Sequence, residues 1–400
     1  MILGIVLSLL PLLFFKYLSY IFRQYNVSTF SGVFSTVGVP LGISFFTLQG
    51  ISYFADVYSG KVEVEKNPLF VGIFLSLFST VTSGPFENYS HVVDQLKKDY
   101  EFNYEQTSAG LKNMVLGMFL KLFVAENLGI IVNAYYTSPG GDYSSLWLLL
   151  STILFGFQLY ADFYGYSLIA KGTAETMGIE LMDNFHQPFL SSSISSFWSR
   201  WHISFQKWLT KHIYIPLGGS RVKTPRILAN VLIVFLVSGL WHGTGLTFIC
   251  WGLVNGLYIC LERLLHLNSK QKVGWHRIVG TMYTFIFITI SWIFFRANSI
   301  SDVGIIFKQI FVGVPKDLYH AFNGTISWAV FNPSVRVGFG FIGLFLVWIL
   351  DFVERKFGSL VTITNKWNSV LRLIFYIALI FVAIGFVKWG ETSEFMYAQF

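Results

Sequence analysis

Apolar runs long enough to cross a bilayer recur from one end of this chain to the other, and that recurrence limits the folds open to it. A helix rises 1.5 Å per residue, so about 20 apolar residues cover the hydrocarbon core. Such runs stand near 1–22, 35–57, 68–83, 113–134, 145–170, 227–242, 246–262, 278–296, 334–353 and 371–389, with a shorter apolar piece near 303–314 assigned to the interface. In lipid the backbone must satisfy its own hydrogen bonds, which makes runs of this length helices. Only 12% of the 400 residues are charged, about half the share of a soluble domain. The expectation is an all-α polytopic transmembrane bundle of about ten spans plus re-entrant or interfacial helices. It is read as one multi-pass membrane domain over 1–400. The first run, Met1 to Phe22, is too long and too aromatic for a cleaved signal peptide and is read as a retained span.

The charges orient these spans. One cluster holds Arg200, Lys207, Lys211, Arg221, Lys223 and Arg226; a second holds Arg263, Lys270, Lys272 and Arg277; a third holds Arg355, Lys356, Lys366 and Arg372. All three fall on one side when the spans are counted, and the positive-inside rule makes that side cytoplasmic. The loop 136–144, whose only charge is Asp142, and the tail with Glu391 and Glu394 fall outside. The net charge of +7 is therefore read as orientation and anionic-lipid contact, with no role for nucleic acid. Cys250 and Cys260 are placed on one helix, about 15 Å apart and too far for a disulfide. No phosphate-binding loop and no metal-ligand spacing is present, so neither an ATP-driven pump nor a metal site is expected.

Within this lipid-compatible background two tryptophan–histidine pairs stand out, Trp201-His202 and Trp241-His242. A desolvated polar side chain costs several kcal/mol unless it has a partner. His242 sits at the tip of a hydrophobic hairpin with arms of about 16 residues, about 24 Å each, which puts the tip deep in the membrane. Gly239, Gly243 and Gly245 are expected to leave room there for a substrate. A neutral imidazole can accept a proton near neutral pH, as a general base must. A structural histidine bonded to a helix-end carbonyl is an equally good reading of the sequence.

His202 lies in 184–222, which is neither a span nor an ordinary loop. Phe197, Trp198, Trp201, Phe205 and Trp208 form a stripe at helical spacing, with Arg200, Lys207 and Lys211 on another face. An amphipathic helix at, or dipping into, the cytoplasmic interface is expected, with His202 toward protein. The run Tyr214-Ile215-Pro216-Leu217-Gly218-Gly219 should then break it with a tight turn. Gln158, Asp162 and Tyr166 share one helix face. A carboxylate at that depth either pairs with a base or stays protonated; Asp162 reads first as an interhelical clamp and second as a group orienting an imidazole. Glu87, in the turn after the third span, reads as interfacial charge. No nucleophile elbow is present, so a covalent serine mechanism has no support.

The runs Phe197-Trp198-Ser199-Arg200-Trp201-His202-Ile203-Ser204, Tyr214-Ile215-Pro216-Leu217-Gly218-Gly219-Ser220-Arg221 and Gly239-Leu240-Trp241-His242-Gly243 resemble the signature of the membrane-bound O-acyltransferases. The resemblance is closest to the bacterial branch that acetylates polysaccharide. Pro40 to Phe46, Gln158 to Ser167, Asn184 to Phe189 and the tail Glu394 to Phe400 extend it over nearly the whole chain. Family members carry further membrane segments before the region matching Met1, so the chain reads as short at its N-terminus.

The resemblance implies a ring-like helical body in the bacterial cytoplasmic membrane. It implies an acyl group, acetyl above all, taken from a cytoplasmic thioester to hydroxyls of an extracytoplasmic polysaccharide or cell-wall polymer. It carries the catalytic role onto His242, with His202 as the second histidine. Trp201, Trp241, Gln158 and Asp162 are then expected around the substrates, and Arg200, Lys207 and Lys211 at the donor entrance. Acetyl-CoA or another acyl thioester serves as donor substrate, with no bound cofactor. Membrane lipid and an extracytoplasmic esterase-like acetyl-handling protein are the expected partners. D-alanyl transfer toward teichoic acids is the alternative within the class. A transporter or flippase is the alternative outside it, although the repeated halves with paired broken helices that transporters carry are not seen.

Overall fold

The computed structural model describes residues 2–24, 40–141, 143–267, 274–323 and 335–387. Lys270, Lys272, Asp142, Glu391, Glu394 and the tail Glu394 to Phe400 lie outside the described residues. The first apolar run is helix α1 (Ile2–Leu12), a π-helical stretch Leu13–Leu18, and α2 (Ser19–Gln24). Then follow α3 (Ile43–Tyr58), α4 (Pro68–Ser76), α5 (Phe78–Val81) and α6 (Tyr89–Leu96). Helix α7 (Tyr104–Met118) runs through a π-helical stretch Phe119–Ala125 into α8 (Glu126–Tyr136), and α9 (Ser145–Thr176) returns beside them. Two short helices, α10 (Ile194–Trp198) and α11 (Ile203–Leu209), precede the hairpin of α12 (Thr224–His242) and α13 (Leu246–Leu264). The remainder is α14 (Trp275–Arg296), α15 (Ile300–Lys308), α16 (Val314–Phe322), α17 (Val335–Phe357), α18 (Leu360–Asn365) and α19 (Ser369–Gly385).

The all-helical polytopic class holds, with fewer full-length spans than expected. Six helical stretches among the described residues are long and apolar enough to cross a membrane: Ile2–Phe22, Tyr104–Tyr136, Ser145–Thr176, Thr224–His242, Trp275–Arg296 and Val337–Phe357. Of the other apolar runs, 246–262 is the 19-residue α13, long enough but not among these six, and the rest are shorter or broken. The run 68–83 splits at Leu77, whose backbone is extended (ψ 115°), into the nine-residue α4 and the four-residue α5. Helix α3 has 16 residues and α19 has 17. The piece at 303–314 is the end of α15 and a π-helical turn. Cys250 and Cys260 do share a helix, α13.

The centre is the antiparallel pair formed by α7–α8 and α9. Their backbones touch at Gly117 and Gly165, where a methyl on Gly117 would lie 2.5 Å from the Gly165 carbonyl oxygen. Such close approach is how membrane helices gain dispersion energy when lipid competes for apolar contact. Large apolar side chains on the outer helices, among them Leu7, Ile286, Phe345 and Phe381, face outward. Rings from α9, α10, α11, α13 and α14 fill the interior.

Contacts between distant segments place the charged loops at the two ends of the bundle. Arg355 donates to the Leu190 carbonyl at 2.9 Å, Glu262 accepts from the Ile194 N–H at 2.7 Å, and Arg200 and Arg277 are close enough to repel. Described members of all three basic clusters therefore meet at one end. At the other end Asp317 accepts from Ser144 Oγ at 2.8 Å, beside the 136–144 loop, and Arg296 reaches Asn133 Oδ1 at 2.8 Å.

Candidate active site

After α9 the chain turns back into the protein. Outside α10 and a short helical turn at Pro188–Leu190 the backbone of 184–202 is irregular, held by one antiparallel bridge between Phe185 and Trp201, with His186 N donating to Arg200 O at 3.0 Å and Ile203 N to Asn184 O at 2.9 Å. The expected continuous amphipathic helix is broken here: α10 ends at Trp198 and α11 starts at Ile203. Between them His202 takes a left-handed conformation (φ 49°). That region disfavours a residue with a Cβ, and such outliers persist where surrounding structure holds them. The stripe consequently faces protein rather than headgroups: Phe197, Trp198, Trp201 and Phe205 are buried, and Phe197 stacks on Trp201 with ring centres 5.4 Å apart. The turn after Tyr214 forms as expected, with Gly218 and Gly219 at positive φ.

Asn184 organises this loop. Its Oδ1 lies 3.1 Å from His202 Nδ1 and accepts from Ser204 Oγ at 2.9 Å and Ser204 N at 3.3 Å; its Nδ2 donates to Ser167 Oγ at 3.2 Å. His202, 1% exposed, also packs against Phe205 at 5.0 Å and Phe163 at 4.7 Å. Its orientation toward protein is as expected.

His242 ends α12 and is buried, its ring 5.6 Å from Phe205, 5.1 Å from Trp251 and 5.4 Å from Phe295. Trp241 packs on Phe205 at 4.4 Å and donates its indole N–H to the Ser44 carbonyl at 3.1 Å. The arm-length argument for the depth of this tip and the open space expected at two of its glycines both fail. The arms have 19 residues each, about 28 Å of helix, so their length alone does not put the tip at mid-membrane. Gly239 and Gly243 do not open space for a substrate. A methyl on Gly239 would lie 2.3 Å from the Phe248 carbonyl oxygen, and one on Gly243 would lie 2.2 Å from the Phe248 ring. These glycines let the two arms close on each other.

His202 and His242 line one cavity of about 10 Å³, with Leu159, Trp201, Phe205, Gln206, Trp251 and Trp292 among its walls. That is room for about one water. Its depth follows from α9: Leu159 is 14 residues from Ser145 and 17 from Thr176, so it lies about 21 Å and about 26 Å from the two ends of that helix. The cavity therefore sits at mid-height of the longest helix.

The remaining candidate residues divide. Asp162 pairs with Lys121 at 2.5 Å, both largely enclosed, as the clamp reading requires. Lys121 lies in the π-helical stretch and was not anticipated. Gln158 is buried one turn earlier, and a methyl on Gly129 would lie 2.7 Å from its Nε2. The three basic residues do not form one face: Lys211 is bound to Asp56 at 2.7 Å and Asn88 Oδ1 at 2.8 Å, while Lys207 is exposed. Arg200 borders a polar cavity of 740 Å³ at the basic end, with Lys171, Asn184, Gln187, Glu354 and Arg355. Asn184 thus stands between this cavity and His202. Glu87 is not interfacial charge; it is buried, accepting from Met182 N at 2.6 Å and facing His91 Nδ1 at 2.8 Å.

Residues 66–301, more than half of the chain, match the model of the membrane-bound O-acyltransferase family. The chain belongs to that family. This O-acyltransferase-family chain is 32% identical over 318 residues to the probable alginate O-acetylase AlgI of Pseudomonas aeruginosa, covering 78% of this chain and 60% of the relative. It is 33% identical over 335 residues to a peptidoglycan O-acetyltransferase of Helicobacter pylori, covering 76% of this chain and 62% of the relative. A teichoic acid D-alanyltransferase of Bacillus subtilis is 27% identical over 276 residues, covering 64% of this chain and 69% of the relative. The chain thus spans about 60% of the length of the acetylases it matches.

Proposed function

We propose that the chain is an O-acyltransferase that moves an acetyl group from a cytoplasmic thioester, acetyl-CoA in the first instance, to hydroxyls of an extracytoplasmic polysaccharide or cell-wall polymer. The observation that carries this reading is the meeting of His202 and His242 in one small cavity at mid-height of α9. His242 takes the proton of the acceptor hydroxyl, whose oxygen attacks the thioester carbonyl carbon. The carbon–sulfur bond breaks and the proton leaves with the thiol. The thioester supplies the driving force, so the protein's task is alignment and proton transfer.

His202 and Trp201 line the donor approach from the 740 Å³ polar cavity, with Arg200 at its rim. Trp241, Gln158 and the Asp162–Lys121 pair support the walls. Lys211, already paired, supports the loop instead of receiving the donor. A cavity of about 10 Å³ holds one water, so the reactants must part its aromatic lining. Acetyl is favoured over D-alanyl because the acetylases align at 32–33% identity and the alanyltransferase at 27%. An esterase-like partner outside the membrane and surrounding lipid complete the proposal. Membership of an acyltransferase family counts against the transporter reading.

The test is H242A at matched abundance in membranes supplied with radiolabelled acetyl-CoA and acceptor polymer. Loss of a general base lowers the rate by roughly 10²–10⁴. Near-normal transfer by H242A would sink the assignment.

A further inference from the structure

The last four carbonyls of any helix lack partners within it, and at a buried end each needs one. At the end of α12 all four are accounted for. Gly239 O accepts from Gly243 N at 3.2 Å. Leu240 O accepts from the Tyr17 hydroxyl. Trp241 O accepts from Lys16 Nζ at 2.7 Å, and His242 O lies 3.5 Å from the same nitrogen. The third acceptor around the ammonium is Ser44 Oγ at 3.4 Å, so three N–H donors face three oxygens. A cation here also meets the negative end of the α12 dipole. Both donors come from the π-helical stretch Leu13–Leu18 in the first span, which lies outside the residues matched by the family model.

We propose that Lys16 and Tyr17 are positioning residues for His242. They hold the final turn of α12 by its terminal carbonyls, so that the imidazole stays in the cavity it shares with His202. Phe248 packs against Gly239 and Gly243 from α13, and the Lys16–Tyr17 pair caps the carbonyls at the end of the turn. Neither residue touches the reacting atoms; each acts through the backbone that carries His242. The proposal rests on the reading of His242 as the base.

The test compares K16M, K16R and Y17F with H242A in membranes holding the full chain, with radiolabelled acetyl-CoA as donor and a polysaccharide acceptor. Misplacing a catalytic group by an ångström can cost up to about 10²-fold in rate. K16M should therefore lose about tenfold or more in kcat with the acetyl-CoA KM unchanged, and K16R should recover most of that loss because it keeps the charge and donors. Should K16M fail to accumulate, Y17F carries the test, with an expected loss of about threefold in kcat at constant KM. Full kcat in K16M or Y17F beside an inactive H242A overturns the clamp alone. K16R as inactive as K16M also overturns it. An active H242A overturns the base assignment and the clamp's catalytic role together.

Discussion

Nδ1 of His202 lies 3.1 Å from Oδ1 of Asn184, and that single oxygen also receives the N–H and the hydroxyl of Ser204. An atom that accepts the Ser204 N–H is an acceptor, so the histidine donates to it from Nδ1. This places the basic lone pair of His202 on Nε2. Asn184 thereby sets both the tautomer and the ring plane of the second histidine, across the boundary between the polar cavity at the basic end and the small cavity at mid-height.

Asn184→Ala should therefore reduce acetyl transfer by about tenfold, since stranding buried donors costs about 1–3 kcal/mol and 1.4 kcal/mol is tenfold in rate. Asn184→Asp keeps an acceptor for His202 and Ser204 and should retain more activity than the alanine variant. The measurement is kcat at matched membrane abundance. Equal loss in both variants would contradict the tautomer argument.

The Lys121–Asp162 pair ties α9 to the π-helical stretch beside it, with both side chains largely out of solvent. Removing one member of such a pair costs about 3–5 kcal/mol, whereas replacing both with apolar residues is often near neutral. Lys121→Met alone should lower thermal stability in detergent sharply, and Lys121→Met with Asp162→Leu should recover most of it. A double-mutant cycle measures the coupling. Additive losses would mean that the two residues act independently.

Sidedness follows from the convergence of the basic clusters at one end. In a background with Cys250 and Cys260 replaced, single cysteines at Lys223 and Lys366 should resist an impermeant thiol reagent in intact cells and react after lysis. A cysteine at Ser138, exposed at the opposite end, should react in intact cells. Lys272 lies outside the described residues, and a cysteine there should behave as at Lys223. Labelling at Lys223 in sealed cells would invert the topology and with it the donor side.

The membrane class, the helical class and the two histidines were legible because each is a local property. An apolar run reports its own transfer energy, and a histidine within one is conspicuous wherever the chain folds. Misreadings arose where a neighbour decides. Helical spacing in 197–208 held in composition, but the bridge between Phe185 and Trp201 broke the helix at His202. Gly239 and Gly243 beside His242 looked like open space and proved to be the contact surface for Phe248, because a missing Cβ invites whichever atom is nearest.

The sequence by itself determined that this chain lives in a membrane as helices, which residues are too polar to be there idly, and which family they resemble. Only the tertiary structure decided their company. It brought Trp201-His202 and Trp241-His242, forty residues apart, to one cavity, joined Asp162 to Lys121, bound Lys211 to Asp56, and set Lys16 and Tyr17 against the end of α12. Hydrophobicity acts through each residue's own surface and can be read along the chain. Hydrogen bonds and ion pairs act over about 3 Å between groups tens to hundreds of residues apart, and only the packed fold sets which groups come that close.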